Sequence, residues 1–259
     1  MTVKQAVATL DHPLLRDVLE LQQAKGMGPF GRLLLEGLRL VRTAVGANLR
    51  FELLLYAPEF YSEGCDALVD AIAARGVPTL QLDPRAFSKL SYKAEGLVAV
   101  VRYTAPAATA LTLDRVLVLD ALSDPGNIGA AIRSANAWRV DAVVVVESGQ
   151  RLYHPKSLRA SMGALFDTPT CALNRGAAIE LAVRANAPVI ALVPGGATPI
   201  TEAIGDRWVI VIGNEKRGVH PDWLGRNTVQ ASIPMGGVID SLNAATAASV
   251  TLWEAFRRR

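Results

Sequence analysis

The sequence predicts an α/β protein in which a smaller α/β unit precedes a larger unit built on a parallel sheet. Apolar, β-branched runs alternate with helical patterns along most of the chain, and the runs at 116–119 and 208–212 are apolar at every position. Such strands are typical of parallel sheets, whose two faces are both covered. Between the units, residues 103–112 are rich in Ala, Thr and Pro and free of charge, which indicates a linker.

The length supports the same division. A chain of 259 residues exceeds the usual size of one domain, so two domains of about 100 to 150 residues are expected. We place the first at residues 1–105 and the second at 113–259.

The first unit is predicted to alternate helices and strands. The helices are expected near 13–24, 36–47, 65–75 and 84–90, and the strands near 32–35, 51–56, 78–82 and 96–102. Arg39 and Arg42 fall on the second helix, where a pair of arginines could contact phosphates. The alternative is that they only solubilise an amphipathic helix.

The second unit continues this alternation. Its strands are expected at 115–120, 142–147, 189–193 and 208–212, and its helices near 127–138, 156–164, 177–185 and from 244 onward. A further short strand near 231–233 must end at Pro234 and the Gly236-Gly237 pair, which cannot continue a ladder. The loop at 121–129 has neither the Gly-x-Gly-x-x-Gly fingerprint nor a P-loop lysine, which argues against a dinucleotide or triphosphate site.

Composition narrows the class of protein. The net charge of +3 and pI near 9.0 permit a polyanionic partner without requiring one. No apolar run approaches the length of a membrane helix, and no signal-peptide core is present, so we expect a cytoplasmic protein without a membrane association. Cys65, Cys171 and the three histidines are scattered, so neither a disulfide nor a metal site is expected.

Three loops of unusual backbone should meet in the second unit. They are the turn at 213–218, the Pro and Gly segment at 234–237, and the Ser/Asn start at 241–243 of an alanine-rich helix. Glycine backbone exposes N–H and C=O groups to a flat heterocycle, and no cationic cluster is present for phosphates. A purine therefore fits these loops better than a triphosphate.

The residues of these loops resemble the SpoU class (TrmH-like) of S-adenosylmethionine-dependent RNA ribose 2′-O-methyltransferases, within the SPOUT superfamily. The three motifs of that family occur here in order, as Asn127-Ile128-Gly129 to Arg133, Gly213-Asn214-Glu215-Lys216-Arg217-Gly218, and Ile233-Pro234-Met235 with Ser241-Leu242-Asn243. The resemblance is close over about residues 115–257. It is looser in the first unit, where 34–41 resembles the small substrate-binding domain of many relatives.

The resemblance implies a fold, a methyl donor and a partner. The fold is a SPOUT-type domain with a deep trefoil knot, an exception to the rule against threading. S-adenosylmethionine would bind in the knot loops without a metal ion, and two subunits would associate through the C-terminal domain as a homodimer. The implied donor-binding residues, which act largely through backbone groups, are Leu192, Gly213, Ile233, Met235, Ser241 and Leu242.

The implied catalytic residues are Asn127, Arg133, Glu215, Ser241 and Asn243. Arg133 would orient the reacting hydroxyl and stabilise its developing charge, because a guanidinium is always protonated and is a poor base. Glu215 would fix Arg133 or a backbone N–H. Helix capping is the alternative for Asn127, Ser241 and Asn243, and a solvated surface side chain is the alternative for Arg133 and Glu215.

One further arginine, Arg159, matches a family arginine placed close to the partner subunit's site and is a candidate for RNA contact. One departure concerns Ala244-Ala245, which stand where many relatives have Val-Ser, so any contact of that serine is lost.

The favoured function is methyl transfer to a ribose 2′-hydroxyl of RNA, with rRNA (23S) favoured over tRNA by analogy with relatives that carry an extra N-terminal domain. The alternatives are a tRNA ribose 2′-O-methyltransferase, a catalytically idle RNA-binding protein of the same fold, and a small-molecule α/β enzyme with a nucleotide cofactor.

Overall fold

A computed structural model describes residues 8–9, 11–91, 95–225 and 228–258 of the chain. The strands within these ranges are β1 (Arg32–Glu36), β2 (Arg50–Tyr56), β3 (Thr79–Gln81), β4 (Leu97–Arg102), β5 (Arg115–Asp120), β6 (Ala142–Val146), β7 (Thr170–Leu173), β8 (Val189–Leu192), β9 (Thr198–Pro199), β10 (Trp208–Ile212) and β11 (Thr228–Ser232). The α-helices are α1 (Leu15–Ala24), α2 (Leu38–Gly46), α3 (Cys65–Ala73), α4 (Pro84–Leu90), α5 (Pro125–Ala137), α6 (Gly149–Leu152), α7 (Pro155–Ser161), α8 (Arg175–Ala185), α9 (Ile200–Ala203) and α10 (Ala244–Arg257).

The chain divides into two compact units. The first comprises Met1–Thr104 with Tyr153–Gly163, and the second comprises Ala105–Leu152 with Ala164–Arg259. The predicted domain limits, 1–105 and 113–259, stay a prediction, and the inclusion of 153–163 in the first unit is a feature that the sequence pattern does not indicate.

The first unit is a four-stranded sheet in the order β1-β4-β2-β3. β4 pairs antiparallel with both β1 and β2, and β3 pairs parallel with β2. Buried side chains of α1 and α4, including Leu15, Val18 and Phe87, pack against sheet residues such as Leu55 and Val98. Burial of each such side chain stabilises the fold by about 1.5–3 kcal/mol.

Helix α7 belongs to this first unit through specific contacts. Arg159 lies 3.5 Å from the buried carboxylate of Glu36 at the end of β1. Just after the helix, Gly163 has a φ of +90° and leaves no room for a side chain, because a Cβ there would lie 2.3 Å from Thr43 of α2. The segment after Leu152 is therefore shaped to fit α2.

The second unit is a seven-stranded sheet in the order β7-β6-β5-β10-β8-β11-β9, and all the pairings between its described strands are parallel. The predicted parallel sheet is confirmed. Its central strands β5, β6 and β10 are almost wholly buried and, apart from Arg115 and Asp120 at the ends of β5, apolar, as the sequence pattern indicates. The carboxyl ends of β8, β10 and β11 lie next to one another, so the loops that follow them meet at one edge of the sheet.

Three strands differ from the prediction, and one of them is the two-residue β9 (Thr198–Pro199), which is not predicted. Strand β7, Thr170–Leu173, is not predicted, because a run of four residues is too short to show a clear period. The strand expected near 231–233 is placed too late, since β11 begins at Thr228 and ends at Ser232.

Close backbone packing occurs where the resemblance implies a knot. A Cβ at Gly196 would lie 2.7 Å from the backbone of Ala231, and one at Gly213 would lie 2.3 Å from the backbone of Gly218. Only glycine fits where two backbones approach so closely. The trefoil knot itself stays a prediction.

Candidate functional site

A cleft of about 520 Å³ lies at the carboxyl edge of the parallel sheet, against the start of α10. Its walls come from the segments that follow β8, β10 and β11, which are separate in sequence and meet because their strands are neighbours. The lining residues are 192–195, 212–216, 218, 233, 235, 240–244 and 247. The volume is within the range of about 300–1,000 Å³ found for small-molecule sites.

All the residues predicted to bind the donor line this cleft, namely Leu192, Gly213, Ile233, Met235, Ser241 and Leu242. The hydroxyl of Ser241 donates to Asp240 Oδ1 over 3.0 Å. Three of the predicted catalytic residues, Glu215, Ser241 and Asn243, belong to the same lining. Motifs that are far apart in the chain thus come together at one place, and the roles of the individual residues stay predictions.

The turn after β10 begins at Gly213, where there is no space for a side chain. A Cβ on Gly213 would lie 2.3 Å from atoms of both Gly218 and Val219. The turn closes through two hydrogen bonds between the backbones of Asn214 and Gly218, at 3.0 and 2.8 Å. The Asn214 side chain also donates to Ala121 O over 2.7 Å, which ties this turn to the loop after β5.

Glu215 connects that turn to the start of α5. Its Oε2 accepts hydrogen bonds from the Ser123 hydroxyl at 2.6 Å and the Ser123 amide at 2.9 Å. Its Oε1 accepts from Asn127 Nδ2 at 2.9 Å and from the Asp124 amide at 3.3 Å. Burial raises the pKa of the Glu215 carboxyl, but the hydrogen bonds from Ser123 and Asn127 outweigh it and lower the pKa to about 2.

The hydrogen bonds continue from Asn127 to Asn243. Asn243 Nδ2 donates to Asn127 Oδ1 over 3.0 Å, and Asn243 Oδ1 accepts from the amides of Ala245 and Thr246. A carboxylate only accepts and a backbone amide only donates, so the two ends of this chain of bonds fix the orientation of both amide side chains. We call Ser123, Glu215, Asn127 and Asn243 the polar chain.

Helix capping, the alternative role predicted for Asn127 and Asn243, is found for one of them and not for the other. Asn243 is the N-cap of α10, as its Oδ1 contacts show. For Asn127 the capping interpretation is wrong, because α5 begins two residues earlier at Pro125 and its N-cap is Asp124, which accepts from the Gly126 amide. The Asp-Pro pair is the sequence signal for this earlier start. The side chain of Asn127 is therefore available to Glu215 and Asn243.

The structure does not bring Arg133 into the cleft lining. It lies on α5 six residues after Asn127, which turns it about 240° around the helix axis. Its side chain is exposed and makes no hydrogen bond or ion pair with the described residues. Of the two contacts predicted as alternatives for Glu215, the one with a backbone N–H forms, to the amides of Ser123 and Asp124. The one with Arg133 does not form among the described residues.

A buried ion pair that is not predicted from the sequence lies at the end of β5. Asp120, at the end of β5, is only 1% exposed and accepts from Trp223 Nε1 at 3.1 Å and from Arg175 at 3.2 and 3.3 Å. A charged residue that ends an apolar strand is the available signal. Because Ala121 and Ser123 follow directly, this pair anchors the loop that carries the donors to Glu215.

The predicted RNA-contact residues lie in the first unit. Arg39 and Arg42 are exposed on α2, and the Arg39 guanidinium also contacts Met162 Sδ at 3.5 Å. Arg159 is about one-quarter exposed and lies beside Glu36.

The part of the chain that the structure describes contains neither a cluster of metal ligands nor a membrane-spanning helix. Within the described ranges, no three His, Cys, Asp or Glu side chains are grouped so that they could hold a metal ion. No described helix has the length and apolar character to cross a bilayer.

Comparison with protein families gives two matches. Residues 114–253 match the SpoU rRNA Methylase family, and residues 12–99 match the MRM3-like substrate binding domain.

Individual proteins are similar over different lengths. An uncharacterized tRNA/rRNA methyltransferase of Synechocystis sp. is 29% identical, over 98% of this chain and 94% of that protein. A 23S rRNA (uridine(2479)-2′-O)-methyltransferase of Streptomyces viridochromogenes is 34% identical over 55% of this chain, an alignment that spans only 52% of the relative.

Solved structures are similar over nearly the whole chain. An AdoMet-bound rRNA methyltransferase from Sinorhizobium meliloti has a TM-score of 0.84 and 25% identity, with 98% of each chain covered. The SpoU methyltransferase AviRb from Streptomyces viridochromogenes, in complex with AdoMet, has a TM-score of 0.78 and 27% identity, with 92% of this chain and 97% of that chain covered.

Proposed function

Because this chain belongs to the SpoU rRNA Methylase family, we propose that it transfers a methyl group from S-adenosylmethionine to a ribose 2′-hydroxyl of RNA. The observation that carries the proposal is the polar chain, which joins residues of all three motifs at the edge of the cleft. Its retention argues against a catalytically idle relative of the same fold.

The cleft fits the donor by its shape and its chemistry. Gly213 lines the cleft in a turn so tight that a Cβ would lie 2.3 Å from the backbone of Gly218, so this part of the wall consists of backbone groups. Apolar side chains of Leu192, Ile233 and Leu242 supply flat contact area for a purine. When bound, S-adenosylmethionine supplies a methyl group on a sulfonium centre, which is electrophilic without a metal ion.

The polar chain holds the groups beside the cleft in one arrangement before substrate binds. The low pKa of Glu215 keeps its carboxylate ionised, and an ionised carboxylate accepts all four hydrogen bonds from the loop at 123–127. Such preorganisation lowers the cost of orienting a hydroxyl at the moment of reaction. Ser241 and Asn243 are the side chains that we assign to hydrogen bonding around the donor and the reacting hydroxyl.

We assign Arg133 to stabilisation of the 2′-oxygen as negative charge develops. An exposed guanidinium without a partner among the described residues retains its five donors for an incoming RNA. A ribose phosphate next to the target is a suitable acceptor for the hydroxyl proton. Arg133 does not line the cleft of a single chain, so its action requires bound RNA or a second subunit to complete the site.

We propose rRNA as the substrate in preference to tRNA. The relatives from Streptomyces viridochromogenes and Bacillus subtilis are 23S rRNA 2′-O-methyltransferases, and the first unit matches a substrate-binding domain. Transfer RNA is the second candidate, because a solved relative with a TM-score of 0.51 concerns 2-OH methylation of C/U34 on tRNA.

The first unit is proposed to bind the RNA backbone. Exposed Arg39 and Arg42 on α2 suit phosphate contacts, which would make binding depend on salt. A contact of Arg159 with RNA stays part of this proposal.

We further propose a homodimer formed through the second unit. Val250 and Trp253 are exposed on α10 by 39% and 47%, while the opposite side of this alanine-rich helix is buried. Small residues let a partner helix approach closely. The cytoplasm is the proposed compartment; Cys65 and Cys171 are both free thiols there.

Two measurements, made one after the other, test the proposed function. The first is calorimetric titration of S-adenosylmethionine, and the second is transfer of labelled methyl from that donor to total RNA from a strain lacking the enzyme. We expect donor binding that resists chelator treatment, and label in large-subunit rRNA. Label in tRNA would favour the second candidate, donor binding without transfer would favour an idle protein, and no donor binding would refute the proposal.

A further inference from the structure

An exposed aromatic side chain stands at one end of the sheet in the first unit. Phe30 is 80% exposed, whereas most aromatic side chains of the described chain are at least partly buried. Its backbone has φ 59° and ψ 25°, a left-handed conformation that bulky residues rarely adopt. Neither burial of the ring nor relaxed backbone geometry accounts for a phenylalanine at this position, and such strain is frequent at functional sites.

The turn that carries Phe30 is held from both sides. The Gly28 amide donates to Arg32 O and the Tyr103 amide donates to Gly31 O, each over 2.9 Å. Gly31 has a φ of +72°, and a Cβ there would lie 2.5 Å from Tyr103 O. The turn is therefore fixed against the end of β4, and the ring of Phe30 is presented to solvent by a preorganised backbone.

Three arginines lie beside this turn. Arg32, Arg102 and Arg50 are Cα partners across β1, β4 and β2, so they form a row at the same end of the sheet. The Arg102 guanidinium lies 6.0 Å from the centre of the Phe30 ring, at the limit for a cation–π contact. Arg50 is exposed and makes no ion pair with a described residue.

A β-bulge organises this row. The register between β2 and β4 shifts between Phe51 and Leu53, which leaves Glu52 as the extra residue. Its carboxylate accepts from Arg32 at 2.7 Å and also pairs with Arg102. Burial opposes ionisation of Glu52, but hydrogen bonds from Arg102 and Arg32 outweigh it and lower its pKa.

The cluster remains cationic. Glu52 and Asp17 are the acidic partners of the three arginines among the described residues, and Arg102 is still 39% exposed. A flat exposed ring next to positively charged side chains is the combination that single-stranded nucleic acids bind, through stacking of a base and contact with its phosphates. A protein partner would be expected to require a larger apolar surface than one ring.

We propose that Phe30, with Arg32, Arg50 and Arg102, forms a platform on which an unpaired RNA base stacks while its flanking phosphates contact Arg50 and Arg102. The proposal rests on the proposed function, because it names the RNA as its ligand. It adds an element that the motifs do not contain: a fixed stacking site that selects single-stranded or looped RNA.

The platform is tested with the full chain and a short unstructured RNA that carries 2-aminopurine at one internal position. Wild-type protein should change the fluorescence of the probe by stacking. Phe30→Gly should weaken binding by about five- to 150-fold, the range for loss of one base–aromatic stack, while thermal stability is kept or raised because glycine accepts φ 59°. Phe30→Trp should bind as the wild type does. Arg50→Ala should lower the salt slope of binding by about one.

Two variants distinguish stacking from a general loss of apolar surface. Leu14→Ala removes another exposed apolar side chain of the first unit, 49% exposed, and should leave binding unchanged. Phe30→Leu should bind as weakly as Phe30→Gly, since leucine keeps apolar area without a flat ring. Wild-type RNA affinity of Phe30→Leu would show that apolar area without a flat ring is sufficient and would overturn the stacking proposal, and wild-type affinity of Phe30→Gly would overturn it as well.

Labelled methyl transfer, measured in parallel, separates this proposal from the function itself. Methylation by the wild type together with Phe30-independent probe binding would reject the platform alone. Probe binding that depends on Phe30, without methylation of any RNA, would reject the enzymatic function and leave the platform standing.

Discussion

Asn243 Nδ2 donates to Asn127 Oδ1 over 3.0 Å and thereby joins the starts of two helices that are 116 residues apart in the chain. The same Asn243 caps α10 through its Oδ1. Asn243 thus makes one set of hydrogen bonds that caps a helix and another hydrogen bond that reaches Asn127 in the candidate active site. The contributions of the two can be separated by substitution.

Asn243→Asp should separate them. Aspartate caps a helix as well as asparagine does, so the contribution of the cap should be kept and stability should fall by about 1 kcal/mol, the scale of the one lost hydrogen bond. It lacks the Nδ2 donor and places a carboxylate against Asn127 Oδ1, so methyl transfer should fall by about tenfold or more. Urea unfolding and single-turnover transfer are the two measurements. Asn243→Ala, which loses both bonds, should reduce both quantities; equal activity of Asn243→Asp and wild type would contradict a role for this bond.

Glu215→Gln should destabilise the protein in a pH-dependent way. Near neutral pH the NH2 group of the glutamine cannot accept the hydrogen bonds that Ser123 and Asn127 donate to the carboxylate. Because the loop is exposed, we expect the free energy of unfolding to fall by only about 1 kcal/mol. The pKa of Glu215 is lowered from 4.5 to about 2, so its contribution to stability is complete above pH 4.5 and is lost as the pH falls through about 2. A protonated glutamate resembles glutamine, so the two proteins should converge there.

Urea unfolding across this pH range measures the difference between the two proteins. Glu180→Gln, which changes an exposed glutamate of α8, is the matched control and should show no such difference. A stability difference between Glu215→Gln and wild type that does not shrink in acid would contradict the hydrogen bonds to the ionised carboxylate as its cause.

Gly213→Ala should impair donor binding. Its Cβ would lie 2.3 Å from backbone atoms of Gly218 and Val219, and backbone cannot move aside as a flexible side chain can. Overpacking of this kind costs about 1–3 kcal/mol, so we expect calorimetry to show at least about tenfold weaker binding of S-adenosylmethionine. Gly236→Ala is the control, because apart from its chain neighbours no described residue lies within 4 Å of its Cβ position. Donor affinity that stays unchanged in Gly213→Ala would show that this turn does not shape the site.

Strands β5 and β10 can be predicted at their observed limits from the sequence alone. Each is an apolar run with a clear end, at Asp120 in β5 and before Gly213 in β10. The motifs also predict which loops form the cleft, since loops that follow adjacent parallel strands must meet.

Contacts between residues that are far apart in the sequence cannot be predicted from such local patterns. Ser123 and Glu215 are 92 positions apart, and Asp120 and Trp223 are 103 apart, so no local pattern indicates either pair. The same holds for Arg159 and Glu36, which place α7 in the first unit. Periodicity reports which face of an element is buried, but it carries no information on which distant residue covers it.

A charge on the exposed side of α10 should disrupt the proposed homodimer. Val250 is 39% exposed, and Val250→Glu would bury a carboxylate in an apolar interface. Light scattering should then find a monomer at concentrations where the wild type is dimeric. Val183→Glu is a matched control on α8, where the valine is 74% exposed, and should remain dimeric. A wild-type protein that is monomeric at working concentrations would contradict the dimer.

Arg133 gives the sharpest test of the mechanism, because the catalytic and the solvated-surface interpretations predict opposite results. The side chain is exposed and makes no hydrogen bond or ion pair with the described residues, so its removal should leave packing and donor affinity unchanged. A loss of activity in this variant would therefore report on the reaction itself and not on the fold.

We expect Arg133→Ala to bind S-adenosylmethionine as the wild type does and to transfer methyl at least about 100-fold more slowly, the usual scale for losing one transition-state donor. Arg133→Lys should recover little, because an ammonium cannot reproduce the planar guanidinium. Single-turnover transfer of labelled methyl to total RNA measures both without assuming the target nucleotide. Arg184→Ala, which changes an exposed arginine of α8, should transfer normally. If Arg133→Ala matches that control, the arginine is a solvated helix residue, since such substitutions cost under about 0.5 kcal/mol, and the charge must be stabilised elsewhere.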